Sequence, residues 1–302
     1  TKLYYRCWHN LRSTFVNKKV KISVVGIGLM GLQHIKAINK SKLCTLHSIV
    51  EIKKNHEILK KKFNVPIYNS IEYLIQNNKP DAVVVSTPNS FHEKQAIKIL
   101  KSKVPLLLEK PISDNLMSAK RIIKVAKIFR TPLLIGYHRR HNAIVNVVKK
   151  LIKSGKLGKI VSANILFWLY KNKNYFEENW RISKGGGPLA INLVHDLDTI
   201  CYLLGRITHV QAFSSNKIRK YKVEDTACAN LIFKSGALCT INISDTIVSP
   251  WSYELTAGEN PAYPITNQSS YFIGGTKGSI NFPNINFWYY KKEKSWWNPI
   301  VS

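Results

Sequence analysis

Three groups of residues in this chain have types and spacings that could do chemistry. In "VVGIGLMG" the glycines fall at Gly26, Gly28 and Gly31, and Glu51 stands about twenty positions further on. In that spacing the first glycine allows a tight turn, the second lets a pyrophosphate approach the backbone, and the third lets a helix pack closely on a strand. The N–H groups at the start of the following helix, at Leu29 and Met30, then face the phosphates. A carboxylate at Glu51 accepts hydrogen bonds from a ribose diol and repels a 2′-phosphate, which favours NAD over NADP; Lys53 and Lys54 soften that preference.

The second group is Lys110, which follows the apolar run "PLLLE" and precedes Pro111. A lysine at the end of a buried strand can hydrogen-bond a substrate hydroxyl and stabilise the alkoxide as hydride leaves. An ordinary surface lysine is the competing reading in a lysine-rich chain. The third is "GGGPLAINLVHDLD", where Asn192 and His195 stand three apart and would share one face of a helix. Histidine has the intrinsic pKa to take a proton from an alcohol near neutral pH, though a satisfied structural histidine is the alternative. Asp196 and Asp198 fall on other faces, where they cap, pair or orient.

The elements that must position these residues alternate. Strands at Lys21–Val25, Thr45–Glu51, "DAVVVSTP", "PLLLEKP" and "PLLIGYH" are separated by amphipathic helices about Met30–Asn39, Asn55–Phe63, Ser90–Lys101 and Asp114–Phe129. Such alternation predicts a parallel sheet covered on both faces. In an open parallel sheet the ligand lies beyond the carboxyl ends of the strands, which here read "STPNSFH", "EKP" and "GYHRRHN". After Gly136 the rhythm changes. A helix about Asn142–Ser154 leads to the strand "IVSANILFWLY", and another about Pro188–Leu204 precedes strand-like runs with hairpin spacing. The expected fold is therefore α/β: an N-terminal Rossmann domain and a C-terminal α+β domain with an open, mostly antiparallel sheet. The expected boundaries are an N-terminal segment 1–18, a nucleotide-binding domain 19–136 and a second domain 137–302.

Composition narrows the classes. The 302 residues carry 46 Lys and Arg against 17 Asp and Glu, a formal charge of +29. The lysines are scattered over amphipathic segments such as "KQAIKILKSK" rather than gathered in a recognition helix, so solvated helix faces explain them and nucleic acid is not an expected partner. No apolar run reaches eighteen residues, so no membrane span is expected. Five cysteines without paired spacing suggest reduced thiols and a cytoplasmic protein, and no metal site is expected.

Taken together, GIGLMG, Glu51, STPNSFH, EKP, GYHRRHN, WR, GGGPLAINLVHDLD, VEDTA and "SPWSYELTAGENPAYP" resemble the glucose-fructose oxidoreductase and inositol dehydrogenase family, Gfo/Idh/MocA. The resemblance runs from about Lys19 to Trp297. It implies NAD(P)-dependent oxidation of a hydroxyl on a sugar, inositol or related polyol, and a homo-oligomer formed through the second domain's open sheet. It implies Lys110 as the catalytic lysine, before a proline whose peptide bond is commonly cis in relatives, and His195 as the acid/base. Thr87, Asn89, His92 and Glu109 would line the cofactor, Trp180 and Arg181 would reach the nicotinamide end, and Tyr137, Arg139 and Arg140 would face the substrate with Asn192.

Three departures accompany it. Many relatives carry an aspartate four positions before the helix histidine, and Ile191 stands there instead, with Asn192 beside it. An asparagine holds a hydroxyl but cannot share a proton as a carboxylate can, so His195 would act with less electrostatic help. The chain stops at Ser302, where relatives usually continue with a further strand and a terminal helix, and the segment before Lys19 matches nothing in the family. These departures set a catalytically weak, cofactor-binding relative as the alternative to an active dehydrogenase.

Overall fold

The computed structural model describes residues 19–302 apart from positions 53 and 54. The segment 1–18 and the lysine pair expected to soften cofactor choice therefore lie outside the described residues. The chain divides after Tyr137 into two compact units.

Six parallel strands form the sheet of the first unit. They are β1 (Val20–Val25), β2 (Cys44–Val50), β3 (Ile67–Tyr68), β4 (Ala82–Val85), β5 (Leu106–Leu108) and β6 (Leu133–Ile135), in the order β3-β2-β1-β4-β5-β6. The helices between them are α1 (Leu29–Lys40), α2 (His56–Phe63), α3 (Ile71–Asn77), α4 (His92–Lys101) and α5 (Leu116–Ile128). Val24, Val83, Val85 and Leu108 are fully buried, as continuous apolar strands covered on both faces must be. The order reverses between β1 and β4, so the carboxyl ends of β1, β2, β4 and β5 surround one crevice of this unit.

Sequence periodicity did not anticipate β3 or α3. The strand is only two residues long, and the helix is a short polar segment that starts where the Ser70 hydroxyl accepts a hydrogen bond from the Tyr73 N–H at 3.1 Å. Asn55 and Asn115 cap α2 and α5 in the same way. At α1 the N-cap is Gly28, which brings no side-chain cap, and the first turn carries no acidic residue.

The second unit is built on a seven-stranded sheet. Its strands are β7 (Ile160–Trp168), β8 (Ile207–Ser215), β9 (Thr226–Phe233), β10 (Leu238–Ser244), β11 (Tyr271–Gly275), β12 (Gly278–Phe282) and β13 (Asn286–Tyr289), in the order β13-β12-β11-β7-β10-β9-β8. Every neighbouring pair is antiparallel except β7 with β10. One face is buried beneath α6 (Ala143–Lys153) and α7 (Val194–Leu204), with Ile165, Phe167, Ile241 and Tyr271 at the centre of the core. A short α8 spans Tyr253–Thr256.

The single helix expected over Pro188–Leu204 is instead two elements, a π-helical turn at Leu189–Leu193 followed by α7. The wider turn starts where the Leu189 N–H donates to the Glu224 carboxylate at 3.0 Å. A side chain at Gly187 would collide with that carboxylate, the built Cβ lying 2.2 Å from it. Asn192 thus lies in the π turn and His195 in the first turn of α7, so their three-residue spacing spans two elements instead of one regular helix.

The glycines of the first turn make opposite demands. Gly26 adopts φ +82°, a left-handed conformation that favours glycine. At Gly31 an added Cβ would lie 2.1 Å from the Gly26 carbonyl oxygen, whereas at Gly28 it would meet nothing within 4 Å. Gly31→Ala should therefore destabilise the first unit by about 1–3 kcal/mol, while Gly28→Ser should change stability by less than about 0.5 kcal/mol. Urea denaturation of the two variants checks the contrast.

Candidate active site

In the first unit the candidate cofactor residues gather at the carboxyl edge of the sheet. Ser86 fixes the glycine turn by donating its hydroxyl to the Gly26 carbonyl at 2.7 Å. Glu51, just past β2, accepts the Ile27 N–H at 3.2 Å and the Ile52 N–H at 3.0 Å, so its carboxylate is held beside the turn. Leu29 and Met30 open the uncapped end of α1 with side chains 77% and 45% exposed. Uncapped N–H groups, a dipole aimed outward and the open space over Gly28 form a cradle that fits a pyrophosphate, with Glu51 placed for the adjoining ribose.

Beyond β4 and β5 the residues divide into exposed groups and struts. Asn89 is exposed in a 3₁₀ turn, and the Thr87 hydroxyl donates to Gln95 at 2.5 Å. His92 was expected to line the cofactor, but it is buried with Nδ1 2.9 Å from the Pro111 carbonyl and Nε2 2.9 Å from the Thr87 carbonyl. It ties the two strand-end loops together instead of presenting a ring nitrogen. Glu109 is likewise buried, with Oε1 2.7 Å from His34 Nε2 and Oε2 accepting the Lys110 N–H at 3.1 Å. Burial alone would raise its carboxyl, but His34 and the Lys110 N–H outweigh that and hold it below the ordinary carboxylate value. The backbone of Lys110 is thus anchored by an ionised carboxylate on one side and leads into a cis Lys110–Pro111 bond on the other. Tyr137 closes this unit, its N–H donating to the Ile135 carbonyl at 2.7 Å.

The second unit holds the other candidates. His195 lies in the first turn of α7 and is 8% exposed, and its ring packs edge-to-face on His138 with centroids 5.2 Å apart. Asn192, in the π turn, accepts a hydrogen bond from Lys171 Nζ at 2.9 Å. Trp180 is half exposed. Arg181 donates to the Tyr175 carbonyl at 2.7 Å and stacks over that ring at 4.2 Å.

Arg139 was expected to face the substrate, and the structure overturns that expectation. Its side chain is 4% exposed, with Nη1 2.7 Å from Asp196 and Nη2 2.8 Å from Glu254, over the face of Tyr253 at 4.2 Å. A guanidinium so enclosed has two anions to neutralise and none to spare for a ligand. Arg140 pairs with Asp198 and stays 43% exposed, so both helix aspartates do pair with cations.

Sequence reasoning missed Lys171, His138, Glu254 and Glu259. Lys171 is one lysine among many in "YKNKNYF", and its burial comes from side chains distant in sequence. Burial pushes its ammonium down from the ordinary 10.5 to about 8, only partly offset by Asp245, 3.8 Å away. The unfolded chain keeps this proton up to about 10.5 while the folded chain releases it near 8, so between those values the unfolded state binds more protons and stability rises with pH. Relative to Lys171→Met, the parent should gain about 2 kcal/mol between pH 8 and 10.5, measured by urea unfolding of both.

Comparison with known proteins shows which family the chain resembles along its length. Residues 20–137 match the model of an oxidoreductase family with an NAD-binding Rossmann fold, and residues 145–281 match the GFO/IDH/MocA C-terminal domain. The inositol 2-dehydrogenase of Corynebacterium glutamicum (strain R) is 29% identical over 202 residues, 65% of this chain and 58% of that protein. The myo-inositol 2-dehydrogenase of Thermotoga maritima is 28% identical over 232 residues, 74% of this chain and 68% of that protein. The chain thus spans less than two thirds of the Corynebacterium relative. Among solved structures, the WlbA dehydrogenase of Bordetella pertussis, in complex with NADH and UDP-GlcNAcA, superposes with a TM-score of 0.76 at 23% identity, over 92% of this chain and 83% of that one. Two adjoining family matches, an uncapped glycine turn with a carboxylate held beside it and a mostly antiparallel second sheet lead to one conclusion: this chain belongs to the Gfo/Idh/MocA family of oxidoreductases, with an NAD-binding Rossmann domain.

Proposed function

We propose that the protein is an NAD-dependent dehydrogenase that moves a hydride between nicotinamide and a hydroxyl-bearing carbon of a sugar, inositol or related polyol. The observation that carries this reading is the cradle at Gly28, open space bounded by an uncapped helix end and by a carboxylate held in place by two backbone N–H groups. The inositol dehydrogenases among its relatives and the nucleotide-sugar complex among its structural neighbours support the substrate class.

In this reading the chain's residues divide the work. The first turn of α1 takes the pyrophosphate, and Glu51 takes the adenosine ribose and discriminates against a 2′-phosphate. Bound NAD supplies the hydride acceptor. Lys110 donates a hydrogen bond to the reacting oxygen and stabilises the charge that develops there, while His195 takes the hydroxyl proton. With Arg139 committed to the core, Tyr137, Arg140 and Asn192 are left to face the substrate, and Trp180 and Arg181 reach the nicotinamide end. The homo-oligomer through the open sheet and the cytoplasmic location belong to this same reading.

The isoleucine at position 191 favours a second reading, a relative that binds the cofactor with little turnover. Titration with NADH and with NADPH, followed by nicotinamide fluorescence, separates these outcomes together with a polyol and sugar screen. Saturable binding that prefers NADH, with turnover, is expected; binding without turnover would move the assignment to the second reading. Gly28→Ser should weaken NADH binding at least 10-fold, or about 1.4 kcal/mol, without unfolding the protein. Glu51→Ala should narrow the NADH preference. Lys110→Ala should lower kcat by about 10²–10³-fold while NADH still binds, and full activity in that variant would remove Lys110 from the mechanism.

A further inference from the structure

A base that is 8% exposed must pass on the proton it accepts, and the neighbour of His195 is suited to receive it. His138 lies in the 3₁₀ turn His138–His141, its ring edge-to-face with that of His195 at 5.2 Å between centroids, yet its side chain is 61% exposed. The two rings therefore lead from a buried position to solvent. Ring centroids at this separation leave the two imidazoles in the range that proton transfer, direct or through one water, requires.

Glu259 sets the chemistry of the second ring. His138 Nε2 lies 3.3 Å from Glu259 Oε2. Burial alone would raise the Glu259 carboxyl, but hydrogen bonds from His138, from the Asn142 amide and from the Tyr253 hydroxyl at 3.0 Å outweigh it and hold the carboxyl below its ordinary value. An ionised carboxylate can only accept, so the neutral His138 carries its proton on Nε2 and keeps Nδ1 as the basic nitrogen. The charged groups packed nearest, Arg139, Asp196 and Glu254, are bound to one another in the core.

We propose that His138, held by Glu259, is the proton-exit relay of the active site. The substrate hydroxyl proton goes to His195, His195 hands it to His138 Nδ1, and His138 releases it to water; no electrons move in these steps. The pair gives His195 a carboxylate-backed neighbour where relatives would place an aspartate at position 191. This proposal rests on the dehydrogenase reading for its catalytic meaning, but the pairing itself can be tested without turnover.

Nitrogen NMR of the full chain labelled at histidine should show neutral His138 with its proton on Nε2, and Glu259→Gln should weaken that preference. A proton on Nδ1 in the parent would overturn the relay. In steady-state oxidation of the best polyol or sugar, His138→Ala should lose about 10-fold or more in kcat in weakly buffered solution and recover when imidazole is added, with the parent insensitive to imidazole. A kcat in His138→Ala equal to the parent's in weak buffer, or a loss that imidazole does not restore, would also overturn it. If the parent oxidises none of the compounds, the dehydrogenase reading fails, and the tautomer of His138 still decides the pairing.

Discussion

The second unit depends on one buried guanidinium. Arg139 cannot leave water without anions, and Asp196 of α7 and Glu254 of α8 supply them, with the Tyr271 hydroxyl of β11 bonded to the same aspartate. Four elements are thereby fastened at one point. Removing one partner of such a cluster typically costs about 3–5 kcal/mol, because a buried charge is left uncompensated. Burial pushes the Glu254 carboxyl up against the pull of Arg139, so the cluster is a compromise between desolvation and attraction. Its importance for function is positional. His138 precedes Arg139 and His195 precedes Asp196, so the 2.7 Å ion pair between the second members of the two pairs brings the first members, the two imidazoles, side by side.

The first unit works by omission. Where α2, α3 and α5 of this unit each begin with an asparagine or serine that satisfies an N–H group, α1 begins with glycine and, like α4, satisfies none by side chain. The same stretch is tightest where Gly31 meets the Gly26 carbonyl and most open at Gly28, three residues earlier. Packing fixes the turn, and the unmade cap leaves it able to bind.

Much of this was legible in the sequence because local pattern and tertiary role coincide there. "DAVVVSTP" has one way to be buried, and glycines between a strand and a helix at that spacing have few uses. The misread positions are those where a partner distant in sequence decides. Arg139 reads, by resemblance, as a substrate-facing arginine until Glu254, more than a hundred residues later, encloses it. His92 reads as a ligand until the Pro111 and Thr87 carbonyls occupy its ring nitrogens. The π turn before α7 depends on Glu224, which no periodicity in "GGGPLAINL" announces.

The one parallel pair in the second sheet has a consequence for how the chain comes off the ribosome. All six strands of the first sheet are complete once residue 137 has been made, and its longest-range pairing, β1 with β4, can already form at residue 85. In the second sheet β7 sits between β10 and β11, so its two edges stay unpaired until residues 238–244 and then 271–275 have been synthesised. At about 5–20 residues per second, that leaves a long, aromatic strand exposed for seconds beside a first unit already able to close. The centre of the second core therefore stays open to aggregation long after the first sheet can close, and it is held together by contacts of high sequence separation.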